Sequence, residues 1–183
     1  MKKSIQTGTD VHPPLRVQGI ELKDRCQHNG AATIEDAITI AAQVHKGQTD
    51  KAGATYILHP LRIMMRMTSD AARITAVLHD VVEDSRDNPP ETKWTLDRLR
   101  ENGFTEEVVA AVDGVTDRKA EGEDYDAFID RAGANPISRQ VKIADLEDNM
   151  NMLRVAEIRP KDLERLEKYH RSWKKLTANT NNN

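Results

Sequence analysis

Apolar residues in this chain recur at helical spacing, and nowhere do they alternate with polar ones over a run long enough to make a strand. That regularity leaves an all-α fold. Thr33 is placed to cap a helix whose apolar face, Ile34, Ala37, Ile38, Ala41 and Val44, repeats up to Gly47. Pro60 suits the first position of a helix through Met67, and Ser69 and Asp70 open another that runs to about Asp84. Thr95 heads a short helix ending at Gly103, and Thr105, followed by Glu106 and Glu107, heads one to about Thr116. Further helical stretches read from Asp124 to Ala134, Pro136 to Asn149 and Pro160 to Leu176. With 38% apolar residues and only 4% aromatic, the core has to be built mostly from Ala, Val, Ile, Leu and Met, a mixture that suits helices.

A length of 183 residues fits one domain with a sizeable core. Residues 1–30 show no period and include His12, Pro13 and Pro14, so an irregular arm is expected there, with the domain over 31–176. The polar, Asn-rich residues 177–183 are expected to be disordered. The net charge of −3 offers no clustered positive charge for nucleic acid or an anionic membrane. A lone Cys26 makes no internal disulfide and excludes a cysteine-based zinc framework. No run of 18 apolar residues occurs, and Met1, Lys2 and Lys3 are not followed by the apolar stretch of a signal peptide. A cytoplasmic location is therefore expected, and a homo-oligomer is compatible with all of these features.

The chemistry concentrates where His79, Asp80, Glu83 and Asp84 interrupt the apolar run around Leu78, Val81 and Val82. Spacings of four put them on roughly one side of a helix. A carboxylate in an apolar setting needs a cation, a metal or solvent. On their own these four would be accounted for by a solvated helix end. His59, just before Pro60, and Asp145, within Val141–Leu146, add an imidazole and a carboxylate in similarly apolar surroundings. Two imidazoles and two carboxylates form a mixed N/O set suited to Mn²⁺, Fe²⁺ or Co²⁺, with Zn²⁺ and Mg²⁺ also compatible. Lys46, Lys51, Lys119, Lys142 and Arg165 are candidate cations to offset the acidic cluster toward a polyphosphate; ordinary surface charge is the competing reading for each. His45 is read as a packing or helix-end histidine.

At these residues the sequence resembles a known family. His59, the pair His79 and Asp80, and distal Asp145 look like the H…HD…D signature of HD-domain phosphohydrolases, a helical superfamily. The runs His45–Gln48, Tyr56–Pro60, Leu78–Asp84, Asp113–Thr116 and Lys142–Asp145, with Asn149 and Met150, resemble the hydrolase domain of RelA/SpoT proteins over roughly residues 33–176. The resemblance implies hydrolysis of the 3′-diphosphate of ppGpp or pppGpp to GDP or GTP and pyrophosphate, usually with Mn²⁺. No histidine lies between Asp80 and Asp145, so one ion per chain rather than a two-metal centre is expected. The resemblance implies His59, His79, Asp80 and Asp145 as metal ligands, and Glu83 and Asp84 as the acidic pair that activates or orients water. It implies Asn149, Lys119, Arg165 and Tyr169 as substrate contacts.

Two departures stand out. Bifunctional members carry an arginine that packs on the guanine base where this chain has Asp50, so weak discrimination between guanine and adenine is expected. The usual Leu-Ala-Asp-Arg-x-His-Asn run reads here Ile143, Ala144, Asp145, Leu146, Glu147, Asp148, Asn149, without that Arg and His. The final helix leaves no room before the end of the sequence for a synthetase domain, so hydrolysis without alarmone synthesis is expected. Two other readings are an HD phosphatase acting on another nucleotide, such as a nucleoside monophosphate or the 2′-phosphate of NADPH, and a non-catalytic HD-fold binding module.

Overall fold

Side-chain caps mark where most of the helices begin, which is why their starts were legible in the sequence. Thr33 accepts the Asp36 N–H while the Asp36 carboxylate takes the Thr33 N–H, a reciprocal cap that opens α1 (Ile34–Val44). Ser69, Thr95, Thr105 and Asp124 cap α3 (Asp70–Leu78), α5 (Leu96–Glu101), α6 (Glu106–Val115) and α7 (Tyr125–Ala134) in the same way. Asn135 caps α8 (Pro136–Met150), with Pro136 in the first turn, and α9 (Pro160–Ala178) also opens on proline. The structure is a computed structural model that describes residues 30–178. The described residues hold no strand, only an isolated antiparallel bridge between Thr49 and Thr55. The expected all-α class is what the chain adopts.

Helices α1, α2 and α5 end two or three residues before the sequence reading placed their ends, and three further boundaries differ in ways that matter more. Helix α2 (Leu58–Met64) starts two residues before Pro60, which still lies in the first turn, where its missing N–H costs nothing. The single helix expected over Ser69–Asp84 breaks at His79 and Asp80 into α3 and the one-turn α4 (Val81–Asp84). Nδ1 of His79 takes the Ala76 carbonyl at 2.9 Å, the acceptor that a continuous helix would offer to the Asp80 N–H. The last helix runs through Thr177 and Ala178, which the sequence assigned to a disordered tail; the Thr177 hydroxyl donates to the Trp173 carbonyl at 2.9 Å. The expected arm over 1–29 and the rest of the tail lie outside the described residues.

Helices α3 and α8 are the centre of the packing: α3 lies against α1, α2, α6 and α8, and α8 also against α7 and α9. Ile40, Val77, Leu78, Leu99 and Val112 fill one core between α1, α3, α5 and α6, closed by Trp94 and Phe104. Ile63, Ala76, Val115, Val141 and Ala144 fill a second between α2, α3, α6 and α8, where small side chains let the helices approach. Gly114 marks the closest approach: a Cβ there would overlap the Ser138 side chain, whose hydroxyl donates to the Ala111 carbonyl at 2.8 Å. These two cores grip α2, the end of α3 and the middle of α8. That is where the histidines and carboxylates singled out in the sequence lie. No helix among the described residues is long and apolar enough to cross a membrane.

Candidate metal centre

The break at His79 and Asp80 lets neighbouring residues present ligand atoms to one point. One ligand atom each from His59, His79 and Asp80 lies within 4.8 Å of the others. His79 Nε2 is 2.9 Å from Asp80 Oδ2, and His59 Nε2 is 3.2 Å from Asp145 Oδ1. Asp145 Oδ1 is also 3.9 Å from His79 Nε2, so all four residues converge. His79 is 3% exposed, and its Nε2 has no hydrogen-bond partner, although its Nδ1–H is used on Ala76. A buried imidazole nitrogen ringed by two carboxylates and a second imidazole is a donor set suited to a divalent cation. The residues fit the ion.

Electrostatics around this point are polarised. Burial alone would raise the Asp145 carboxyl, but Lys142, held at 2.9 Å, and the two imidazoles outweigh it and hold Asp145 well below the usual carboxylate range. Burial likewise would raise Asp80, yet His79 holds it down, and the Tyr56 hydroxyl donates to its Oδ2. Burial would lower His59, but hydrogen bonds to Asp145 and Asp148 push it up to about 9. Glu83 goes the other way: burial and the Asp80 charge push it up to about 7, against a hydrogen bond from the Asp117 N–H at 3.2 Å. A carboxyl poised near neutrality beside a cation site is what a proton acceptor needs.

The site lies on the floor of a cavity of about 560 Å³. Of the sequence-predicted residues, His59, Asp80, Glu83 and Asp145 line it, as do Lys51, Lys119, Lys142, Asn149 and Tyr169. Lys46 is exposed outside it, and Arg165 stands off the lining, 3.8 Å from Asp162. Asp84 does not line the cavity; its carboxylate faces His45 Nδ1 at 3.2 Å, and the His45 ring lies 4.8 Å from that of Tyr56. The two members of the expected acidic pair thus meet different partners, Glu83 the Asp117 N–H and Asp84 the His45 ring. Asn149 is drawn to the metal site, donating to Asp145 Oδ1 at 2.6 Å and accepting from Lys51 at 3.2 Å.

Asp50 also lines the cavity, but it offers no free carboxylate to a base. Its Oδ1 accepts the N–H groups of Ala52 and Ala54 at 2.9 and 3.0 Å, and its Oδ2 is held by Arg154 at 2.8 Å. Sequence reasoning missed Arg154, Asp148 and Lys168. The first two meet Asp50 and His59 only across about a hundred residues of chain, and Lys168 reads as surface charge in an amphipathic helix. Lys168 instead lies over the Tyr125 ring at 4.1 Å, inside the lining.

Comparisons with known proteins agree with this picture. No family model matches the chain. It is 33% identical over 132 residues to the GTP pyrophosphokinase of Streptomyces coelicolor, covering 66% of this chain and 15% of that protein. It is 30% identical over 133 residues to the guanosine-3′,5′-bis(diphosphate) 3′-pyrophosphohydrolase of Aquifex aeolicus, covering 67% of this chain and 18% of the relative. The chain therefore spans less than a fifth of the length of these curated relatives. A solved structure described as "A metazoan ortholog of SpoT hydrolyzes ppGpp and plays a role in starvation responses" superimposes with a TM-score of 0.61 at 21% identity. That match covers 83% of this chain and 87% of the other, and at that identity it speaks for the fold.

Proposed function

We propose that this chain, related in sequence to the RelA/SpoT-type (p)ppGpp hydrolases, is a metal-dependent phosphohydrolase that removes the 3′-diphosphate of ppGpp or pppGpp. The observation that carries the reading is the buried, unpartnered Nε2 of His79, faced by His59, Asp80 and Asp145 beneath a cavity lined with lysines. His59, His79, Asp80 and Asp145 would hold one divalent ion, Mn²⁺ in our assignment. When bound, such an ion neutralises phosphoryl oxygens and acidifies water.

The remaining work falls to the chain's own groups. Glu83, fixed by the Asp117 N–H, accepts the proton of the attacking water, for which a carboxyl near neutrality is well matched. Lys142 stays on Asp145 and orients that carboxylate. Lys51, Lys119 and Lys168, which line the cavity, receive phosphate oxygens, and Asn149 ties Lys51 to Asp145. Asp84 supports the arrangement through His45, whose ring lies 4.8 Å from that of Tyr56.

The test is incubation of the chain with ppGpp and Mn²⁺ and analysis of products. Pyrophosphate and GDP in equal amounts, lost on His79→Ala, are expected. Orthophosphate from ppGpp, or turnover confined to nucleoside monophosphates or NADPH, would move the assignment to another nucleotide, and no turnover of any of these would leave a binding module.

A further inference from the structure

The carboxylate of Asp148 stands where the resembling family has a histidine, and its surroundings give it a task. It lies one turn after Asp145 on α8, so the two carboxylates bracket one imidazole: Asp145 Oδ1 is 3.2 Å from Nε2 of His59, and Asp148 Oδ2 is 2.7 Å from Nδ1. The Asp148 side chain is only 9% exposed and is itself gripped. Arg62 donates from Nε to Oδ1 at 2.8 Å and from Nη2 to Oδ2 at 2.9 Å, and Arg154 adds Nη2 to Oδ2 at 3.1 Å. Arg154 is in turn held by Asp50 at 2.8 Å. Two guanidinium groups from different parts of the chain thus fix a single carboxylate against the outer nitrogen of a histidine.

We propose that Asp148 is a positioning residue for the metal: clamped by Arg62 and Arg154, it takes the Nδ1–H of His59 and so turns Nε2 into the cation site. This rests on the metal reading above. Three observations support it. The other imidazole is arranged in the same way, with Nδ1–H on the Ala76 carbonyl at 2.9 Å and Nε2 free. Asp148 is not positioned to be a ligand, because it sits on the Nδ1 side and both its oxygens are engaged by Arg62. A nearly buried carboxylate with two guanidinium partners is a poor device for net stability, since desolvation offsets the attraction, but a good one for fixing a ring. A carboxylate behind a ligating histidine fixes its tautomer and raises its basicity, and such partners are worth about 10- to 100-fold in metal affinity.

The full chain is titrated with Mn²⁺ by calorimetry, and with Zn²⁺ as a diamagnetic probe on ¹⁵N-histidine-labelled protein, with His59 assigned through His59→Gln. Zn²⁺-loaded wild type should show His59 bound through Nε2 with a slowly exchanging Nδ1–H. Asp148→Asn should weaken Mn²⁺ binding about 10- to 100-fold and lose that protected proton. Arg62→Lys keeps a charge but gives up the fork, and should weaken binding about three- to tenfold, so the measurement survives if Asp148→Asn does not fold. Leu99→Ala, a core change in α5, controls for lost stability and should leave Mn²⁺ affinity within about twofold. Coordination of His59 through Nδ1, or unchanged affinity in Arg62→Lys and in a folded Asp148→Asn, overturns the proposal while leaving the metal reading standing. A wild type that binds neither ion overturns both.

Discussion

Glu83 and His59 carry opposite ionisation shifts, and each shift has a measurable consequence. Because Glu83 is pushed up to about 7, its folded form holds a proton that the unfolded chain releases at lower pH. The stability this gives is fully present below the ordinary carboxyl value of 4.5 and is lost as pH rises through about 7. Glu83→Gln should therefore match wild type near pH 4 and be more stable at pH 8 by up to about 3 kcal/mol in metal-free protein, read by melting at both values. The same variant should lose about 10²- to 10⁴-fold in turnover, whereas Asp84→Asn, outside the cavity, should lose less than about tenfold. Equal losses in the two would mean that the carboxylate facing His45 takes part in the chemistry directly. Hydrogen bonds to Asp145 and Asp148 push His59 up to about 9, which favours a proton on both ring nitrogens in the metal-free protein. A cation can enter only as that Nε2 proton leaves. Titration with Mn²⁺ at pH 7.5 in two buffers of different ionisation enthalpy should report at least about one proton released per ion, since His79 is shifted up as well, and zero would contradict the shift. His59, His79, Asp80 and Asp145 could be picked out from sequence because each is an ionisable residue in an apolar run. Asp148 and Arg154 could not, since a charged residue in a polar stretch gives no sign of which distant partner it meets.

At the scale of elements, local signals were read well where capping chemistry is local. Thr33, Ser69, Thr95, Thr105, Asp124 and Asn135 each sit one residue before the helix they cap. The break between α3 and α4 left no such sign, because it depends on where the His79 ring turns rather than on a glycine or proline. The loop before α2 shows the same limit: alignment sets Asp50 toward a base, but its carboxylate closes the turn through Ala52 and Ala54 and anchors Arg154. Asp50→Arg should accordingly lower stability by about 1–3 kcal/mol, through loss of these buried acceptors, without raising preference for guanine. A preserved melting temperature with a new guanine preference would restore the reading from alignment. The crossing of α6 and α8 at Gly114 is equally specific. Gly114→Ala forces the Ser138 side chain aside, and overpacking of this kind costs about 1–3 kcal/mol. Calorimetric melting should fall by several degrees, with a weaker metal site, because the same displacement moves Asp145 on α8.

For the molecule as a whole, the arrangement concentrates one candidate cation site at the junction of two apolar cores, under a cavity lined with lysines. Among the described residues a single group of histidines and carboxylates converges closely enough to hold an ion. His45 has its Nδ1 on Gln48 and near Asp84, and His170 is exposed, stacked on Trp173, so neither adds an imidazole to the site. Around the site the charges are already matched: Lys142 neutralises part of Asp145, and Arg62 and Arg154 neutralise Asp148. A second divalent ion beside the first would need two or three further free donors, whereas Asp148 is held by Arg62 and Arg154 and Glu83 is pushed up to about 7. Protein loaded with Mn²⁺ and desalted should thus contain about one equivalent per chain, lost in His79→Ala and in Asp145→Ala. Two equivalents, both lost in His79→Ala, would mean that Glu83 and Asp84 bind metal rather than move protons. The Glu83→Gln variant separates the two schemes, because a proton acceptor is replaced there without loss of metal, while a ligand is not.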